Sequence, residues 1–178
     1  MRKFLLLTKT VFSVLILAIV FSQPIFSQSQ GFPYHLYEPR TLAELSKLNS
    51  GFEKVPVTDS VNLMVADEPY YSAVRVKYAG EKRELSTKKL AFYKYWAAAL
   101  EVGSTNTDYN PLDVIKTEYL FTQCDKEYWI TVQTPAANDL PPDLKSGDRL
   151  TLYLMINGGI ETNGNWDYLY LANSFKIY

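Results

Sequence analysis

The sequence contains one cysteine and one histidine among 178 residues. A single cysteine excludes a disulfide-stapled small protein, an iron–sulfur cluster and a cysteine-based zinc site. A single histidine excludes a multi-histidine metal centre, so we expect no metal and no other cofactor. The charges nearly balance, with 18 basic and 19 acidic residues and a formal net charge of −1. This balance argues against a protein that coats nucleic acid.

The motifs of common catalytic classes are also missing. The chain has no GxSxG elbow, no HExxH pair, no phosphate-binding glycine loop and no calcium-binding loop. The only imidazole, His35, lies between two prolines in a segment that we predict to be loose, which is a poor position for a general base. Cys124 lies between a glutamine and Asp125, and the adjacent charges of Asp125 and Lys126 act on its thiol in opposite directions. We therefore predict that the protein is not an enzyme.

The amino-terminal segment has the pattern of an export signal. Basic residues precede an apolar run over 11–21, which is too short to cross a bilayer as a helix. Ser27 and Ser29 fit signal cleavage after either position, and an uncleaved anchor is the alternative. We predict a signal peptide over 1–27 and a secreted or periplasmic protein that has no integral membrane span after cleavage.

Cleavage changes the charge of the remaining chain. The signal holds three basic residues and no acid, so 15 basic and 19 acidic residues remain, a net charge of −4. This net charge predicts no electrostatic attraction to nucleic acid or to anionic lipid. We predict a flexible lead-in over 28–40 and a single β-barrel-like domain over 41–178, because this length suits one domain.

Two segments have helical patterns. Thr41 and Glu44 form a capping box, and leucines at three-residue spacing predict a helix over 42–49. Ser86 is a suitable N-cap for a second helix over 87–101. That helix is apolar on several sides, so we expect it to pack against a sheet or to lie between layers.

Alternating apolar residues and turn signals predict seven strands. These strands lie at 61–65, 74–78, 82–85, 112–123, 127–134, 149–156 and 166–175. We expect a turn at 79–81, a hairpin turn at 124–126 and loops over 135–146 and 157–165.

These elements predict a mainly β fold with two helices (α+β), arranged as a small antiparallel β-barrel with a helix inserted mid-chain. The order is similar to the OB architecture, in which a helix plugs the barrel between its third and fourth strands. An α+β sandwich and a lipocalin-like cup are the alternatives.

Large aromatic residues occupy positions where a half-covered sheet usually carries polar side chains. Alternation places Tyr153 opposite the leucines of its strand, and Trp129 opposite the apolar residues of its own. In the last strand, Trp166, Tyr168 and Tyr170 alternate with leucines. Such rings bind ligands through wide, stiff surfaces with one polar atom each. These five residues are our candidate ligand-binding set, and the alternative is that the 42–49 helix covers them.

Three functions remain open at this stage. We favour an exported, non-catalytic binding module that recognises a glycan, a peptide or an envelope protein through its aromatic sheet face and loops. A structural or assembly subunit of the cell envelope is the first alternative. A small hydrolase is the second, because paired carboxylates can cleave glycosides. The acids considered for that role are Asp67, Glu68, Glu118, Glu127, Asp148, Glu161 and Asp167.

Overall fold

The computed structural model describes residues 31–48, 52–58, 61–103 and 111–178. The predicted signal peptide and the start of the predicted lead-in lie outside these residues. Within the described ranges, no helix has both the length and the apolar composition needed to cross a membrane. Pro33–Tyr178 form one compact unit with its own core.

Seven strands and three α-helices are present in the described part of the chain, which confirms a mainly β protein with helices. The strands are β1 (Glu38–Pro39), β2 (Phe52–Thr58), β3 (Val61–Glu84), β4 (Ile115–Gln123), β5 (Lys126–Gln133), β6 (Arg149–Thr162) and β7 (Asn165–Ile177). The helices are α1 (Leu42–Leu45), α2 (Thr87–Gly103) and α3 (Thr134–Asn138), with 3-10 turns at Tyr34–Leu36 and Pro111–Val114.

Five of the strands are hydrogen-bonded in a closed order. β3 pairs with β4, β4 with β5, β5 with β7, β7 with β6, and β6 pairs again with β3. The β5–β7 pair is parallel and the other four are antiparallel, so the prediction of an entirely antiparallel sheet is wrong at this pair. β1 and β2 also pair with β3, and β1 does so in parallel.

Strand alternation separates two apolar clusters on opposite faces of the sheet. The leucine cluster contains Leu150, Leu152, Leu154 and Ile156 of β6 and Tyr170 and Ala172 of β7, together with Leu42 and Leu45 of α1. The α2 cluster contains Phe92 and Tyr93 of α2 packed on Met155, Ile160, Leu169 and Leu171. Helix α2 therefore covers the sheet face opposite the leucine cluster, in agreement with the expectation that it packs against a sheet.

β3 continues where we predicted two strands, a turn and a returning strand. Gly80 adopts a φ of 96°, and the register of β3 with β4 shifts between Tyr78 and Lys82. These features are those of a bulge, which bends a strand without reversing it. The strand continues past the predicted turn because β4 pairs with it on both sides of the bulge, at Lys77 and Tyr78 and again from Lys82 to Glu84.

From Pro33 onward, the predicted flexible lead-in belongs to the compact unit. Its 3-10 turn is followed by Tyr37, which is buried and accepts a hydrogen bond from Asn173 Nδ2 at 2.9 Å. β1 then pairs with Ser72 and Ala73 of β3. Tertiary pairing thus orders a segment whose two prolines and polar residues predicted flexibility.

Several other elements also differ from the prediction. Helix α1 ends at Leu45 rather than at residue 49, and the strand predicted to end at 156 continues as β6 to Thr162. Helix α3 lies in the predicted loop over 135–146, with Pro135 in its first turn, where a missing N–H costs no hydrogen bond. The β4–β5 hairpin, with its turn at Cys124 and Asp125, is confirmed.

Replacing Thr41 with alanine tests the capping box of α1. The Thr41 hydroxyl accepts a hydrogen bond from the Glu44 amide at 3.1 Å, and the Glu44 carboxylate accepts one from the Thr41 amide at 2.7 Å. We expect Thr41→Ala to lower the free energy of unfolding by about 1 kcal/mol, measured by urea denaturation. The exposed Ala43→Ser change in the same helix serves as the control and leaves both hydrogen bonds intact.

The same box predicts a pH dependence. The amide and then the hydroxyl of Thr41 donate to the Glu44 carboxylate and hold its pKa below the ordinary value. Since the folded pKa is the lower one, this contribution is present above the unfolded pKa and is lost as the pH falls through the folded pKa. The loss of stability caused by Thr41→Ala should therefore be smaller below the folded pKa of Glu44 than at neutral pH. An equal loss under these two conditions would contradict this account.

Candidate functional site

The parallel pair β5–β7 is short and leaves a cleft. Only Thr131 with Leu171 and Val132 with Ala172 are paired between these strands. Both strands begin several residues earlier, and there they line a cavity of about 390 Å³. This volume lies within the ordinary range for small-molecule sites. We call this cavity the aromatic cleft.

Five aromatic residues line the aromatic cleft, and four of them belong to the set predicted from the sequence. β5 contributes Tyr128 and Trp129, and β7 contributes Trp166, Tyr168 and Tyr170. Trp129, Trp166 and Tyr168 are each partly exposed, as a ligand-binding ring must be. The structure therefore brings these three predicted residues together at one accessible place.

Tyr170 lies at the base of the cleft and is part of the core. Its side chain is buried, and its hydroxyl donates to the carbonyl oxygen of Leu42 at 3.3 Å. Its ring lies 6.4 Å from the rings of both Tyr128 and Tyr168. Burial also raises the pKa of the Tyr170 hydroxyl. The sequence left open that the helix over 42–49 covers the candidate rings, and Tyr170 is covered in this way by α1.

A buried ion pair supports the wall of the cleft. Lys89 Nζ donates to Glu118 Oε1 at 2.6 Å, and both side chains are almost fully buried. Arg83 Nε donates to Glu118 Oε2 at 3.0 Å. The guanidinium carbon of Arg83 also lies 3.8 Å from the centre of the Trp129 ring, which is close enough for a cation–π interaction. Glu118 thereby orients Arg83, and Arg83 fixes one aromatic wall.

The charges around the cleft balance. Arg83, Lys89 and Lys126 provide three cations, and Glu127 and Asp167 line the same cavity. The buried Glu118, which is paired with Arg83, supplies the third negative charge. Lys89 Nζ also lies 3.5 Å from Asp167 Oδ1. A cleft with balanced charges and aromatic walls suits a neutral or zwitterionic ligand with many hydroxyl groups.

Comparison with protein-family models, with curated proteins and with solved structures gives no match. The residues of the cleft must therefore be interpreted by their chemistry.

Tyr153 does not belong to the aromatic cleft. It lies on the sheet face opposite the leucine cluster, with its ring 4.6 Å from that of Tyr34 and 5.6 Å from that of Tyr37. The single aromatic face implied by the sequence is therefore wrong. The register of β6 with β7 pairs Ile156 with Tyr170, so the even-numbered β7 rings lie on the leucine side of the sheet.

The other candidate groups are dispersed over the molecule. His35 is exposed in the amino-terminal 3-10 turn, and Cys124 is exposed at the β4–β5 hairpin. Glu161 accepts a hydrogen bond from Asn62, and Asp148 accepts one from the Lys145 amide. Among the described residues, no group of three or more His, Cys, Asp or Glu side chains is arranged to hold a metal ion.

Sequence reasoning missed the charged residues of the cleft. The sequence alone places Arg83 in a short strand and Lys89 in a helix, and it presents Glu118 only as one of the candidate carboxylates for hydrolysis. A signal is present in the sequence, because Glu118 is followed by the apolar run Tyr119–Phe121 and Lys89 directly precedes Leu90 and the apolar part of the helix. Buried charges at such positions require partners.

Proposed function

We propose that this chain is an exported, non-catalytic module that binds a neutral glycan in the aromatic cleft. The observation that carries the proposal is the meeting of Trp129, Trp166 and Tyr168 at one partly exposed cavity. Sugar rings pack well against stiff aromatic side chains, and the charged groups of the rim offer hydrogen bonds to hydroxyls. The balanced charge of the cleft favours a neutral over an anionic sugar.

The chemistry of the carboxylates supports binding over hydrolysis. Both oxygens of Glu118 are engaged by cations, and its side chain has no solvent-exposed surface. Asp167, the exposed acid nearest to this pair, lies beside Lys89. A glycosidase needs one carboxyl group that delivers a proton to the bond and a second that acts on the sugar or on water. Glu118 is not presented to a ligand in that way.

We further propose that the closed ring of strands is a small OB-like barrel. The ring has five strands, and helix α3 lies between its third and fourth strands, β5 and β6. Ala136 of α3 belongs to the leucine cluster. This helix, rather than the predicted helix over 87–101, occupies the position in which an OB helix plugs the barrel. OB-like barrels bind oligosaccharides on the face of their second and third strands.

A second candidate ligand is an extended peptide. Before their two paired positions, β5 and β7 present edges that do not pair with each other. An extended peptide can add to such an edge through main-chain hydrogen bonds. A glycan and a peptide are distinguished by the experiment that follows.

The double change Trp166→Ala and Tyr168→Ala tests the proposed site. Neutral oligosaccharides are screened on an array, and the best one is titrated against the tryptophan fluorescence of the chain from Gln28 onward. We expect bound sugar to protect the tryptophans from acrylamide, and the double variant to bind at least about tenfold more weakly. Tyr95→Ala, an exposed tyrosine of α2, is the control and should leave the affinity unchanged.

Two results would count against glycan binding in the aromatic cleft. Binding of extended peptides but of no neutral sugar would favour the second candidate. A loss of several kcal/mol of stability in the double variant would assign these rings to the core instead of to a ligand.

A further inference from the structure

A group of basic residues lies on the sheet face that carries Tyr153. The register of β3, β6 and β7 aligns Arg75 with Thr151 and Thr151 with Lys176, and it pairs Lys77 with Arg149. Neighbouring strands are about 4.8 Å apart, so these side chains leave the sheet close together. We call Arg75, Lys77, Arg149 and Lys176 the basic grid. It shares no lining residue with the aromatic cleft.

The basic grid is electrostatically unfavourable within the fold. Lys77 and Arg149 are direct cross-strand partners, and like charges in that position destabilise a sheet. Within the residues that the structure describes, no ion pair joins a grid side chain to a carboxylate. Arg40, at the edge of the same region, is by contrast paired with Glu38. The four grid cations therefore have no carboxylate partner among the described residues.

Two exposed tyrosines border the basic grid. The Tyr178 ring lies 5.9 Å from the guanidinium carbon of Arg75. The Tyr34 ring meets the Tyr153 ring edge-on, with 4.6 Å between their centres. Tyr34 and Tyr178 are both exposed.

A groove of about 900 Å³ lies within this surface. Its lining includes Arg75 and Lys176 of the grid together with Arg40, Tyr153 and Tyr178. A second groove, of about 310 Å³, lies beside Lys77 and Arg149. The carboxylate side chains that line the two grooves are Glu44 and Asp125, and Glu44 is engaged in the capping box. Cations therefore outnumber acids here, although acids outnumber cations in the chain as a whole.

We propose that the basic grid and its exposed rings dock on an anionic phospholipid bilayer. Basic side chains are attracted to anionic headgroups, and tyrosines favour the depth of the headgroups. Screening limits such attraction to about 10 Å, so the local charge of the grid decides the interaction and the net charge of the chain does not. A soluble polyanion would use the same cations, but it would not need the exposed rings of Tyr34 and Tyr178.

Sedimentation with vesicles tests this proposal. The chain from Gln28 onward, which contains the whole compact unit, is mixed with phosphatidylcholine vesicles that either contain or lack phosphatidylglycerol. We expect binding to the anionic vesicles only, decreasing as salt rises. Lys77→Gln with Lys176→Gln should weaken it roughly thirtyfold, since each basic residue near the surface contributes about fivefold. The matched control, Lys94→Gln with Lys145→Gln, loses the same charge from exposed positions outside the grid and should bind nearly as the parent does.

Tyr178→Ser supplies a second variant that keeps every charge. We expect it to weaken vesicle binding at both low and high salt, because it removes an exposed ring. The proposal is overturned if anionic vesicles are not bound at low salt, or if the control pair loses as much binding as the grid pair. Binding of soluble polyglutamate or polygalacturonate without vesicle binding would also overturn it. None of these results bears on glycan binding in the aromatic cleft.

Discussion

Replacing Glu118 with leucine is expected to lower the free energy of unfolding by about 3 to 5 kcal/mol. Glu118 is fully buried, and its two carboxylate oxygens accept hydrogen bonds from Lys89 and Arg83. Without the carboxylate, the buried ammonium of Lys89 keeps only Asp167 at 3.5 Å as a partner. An unpaired buried charge costs far more than a surface ion pair contributes, so we expect the midpoint of urea denaturation to fall sharply.

The double change Glu118→Leu and Lys89→Met separates an unpaired charge from lost packing. It removes both buried charges, and we expect it to recover most of the stability lost in the single variant. Glu127→Leu replaces an exposed glutamate of the neighbouring strand and should change stability by no more than about 0.5 kcal/mol. A loss below about 1 kcal/mol in Glu118→Leu would mean that the ion pair is not buried as described.

Replacing Gly158 with alanine is expected to destabilise the protein by at least about 4 kcal/mol. Gly158 pairs with Val65 of β3 and with Leu169 of β7, at a shift in the β6–β7 register. A Cβ atom at this position would lie 1.8 Å from the carbonyl oxygen of Met64, and the backbone has a φ of 146°. The clash is with backbone, so it is relieved only by separating β3 from β6.

Gly147→Ala is the matched control for this substitution. Gly147 also has a positive φ, of 95°, but a Cβ atom there would meet nothing within 4 Å. We expect a loss of about 1 to 2 kcal/mol from backbone strain alone. Thermal denaturation of the two variants would compare them directly. Similar losses in both would show that conformational strain, rather than contact with β3, explains the effect at Gly158.

Several local structures could be predicted from the sequence because their causes lie within a few residues. The capping box at Thr41 forms as expected, and Ser86 accepts a hydrogen bond from the Lys89 amide at the start of α2. The hairpin at Cys124 forms because the turn residues separate two strand patterns. In each case the hydrogen bonds join neighbours in the chain, so tertiary structure is not needed to specify them.

Other elements depend on partners far along the chain. The turn expected near Gly80 is a bulge, because β4 pairs with β3 both before and after it. The sequence after Asn157 has the glycines of a loop, yet it forms the second half of β6, because β3 and β7 pair with it on both sides. Hydrogen bonds to neighbouring strands override the weak local preference of glycine for turns.

The sequence by itself determined that the protein is rich in strands, that its last strands carry large rings, and that it has one histidine and one cysteine. Only the tertiary structure decided which rings meet. Trp129, Trp166 and Tyr168 come together because β5 and β7 pair over only two positions, whereas Tyr153 lies among the basic residues of another face. The reason is physical: alternation assigns side chains to faces within one strand, but register and strand order determine which faces of different strands become neighbours.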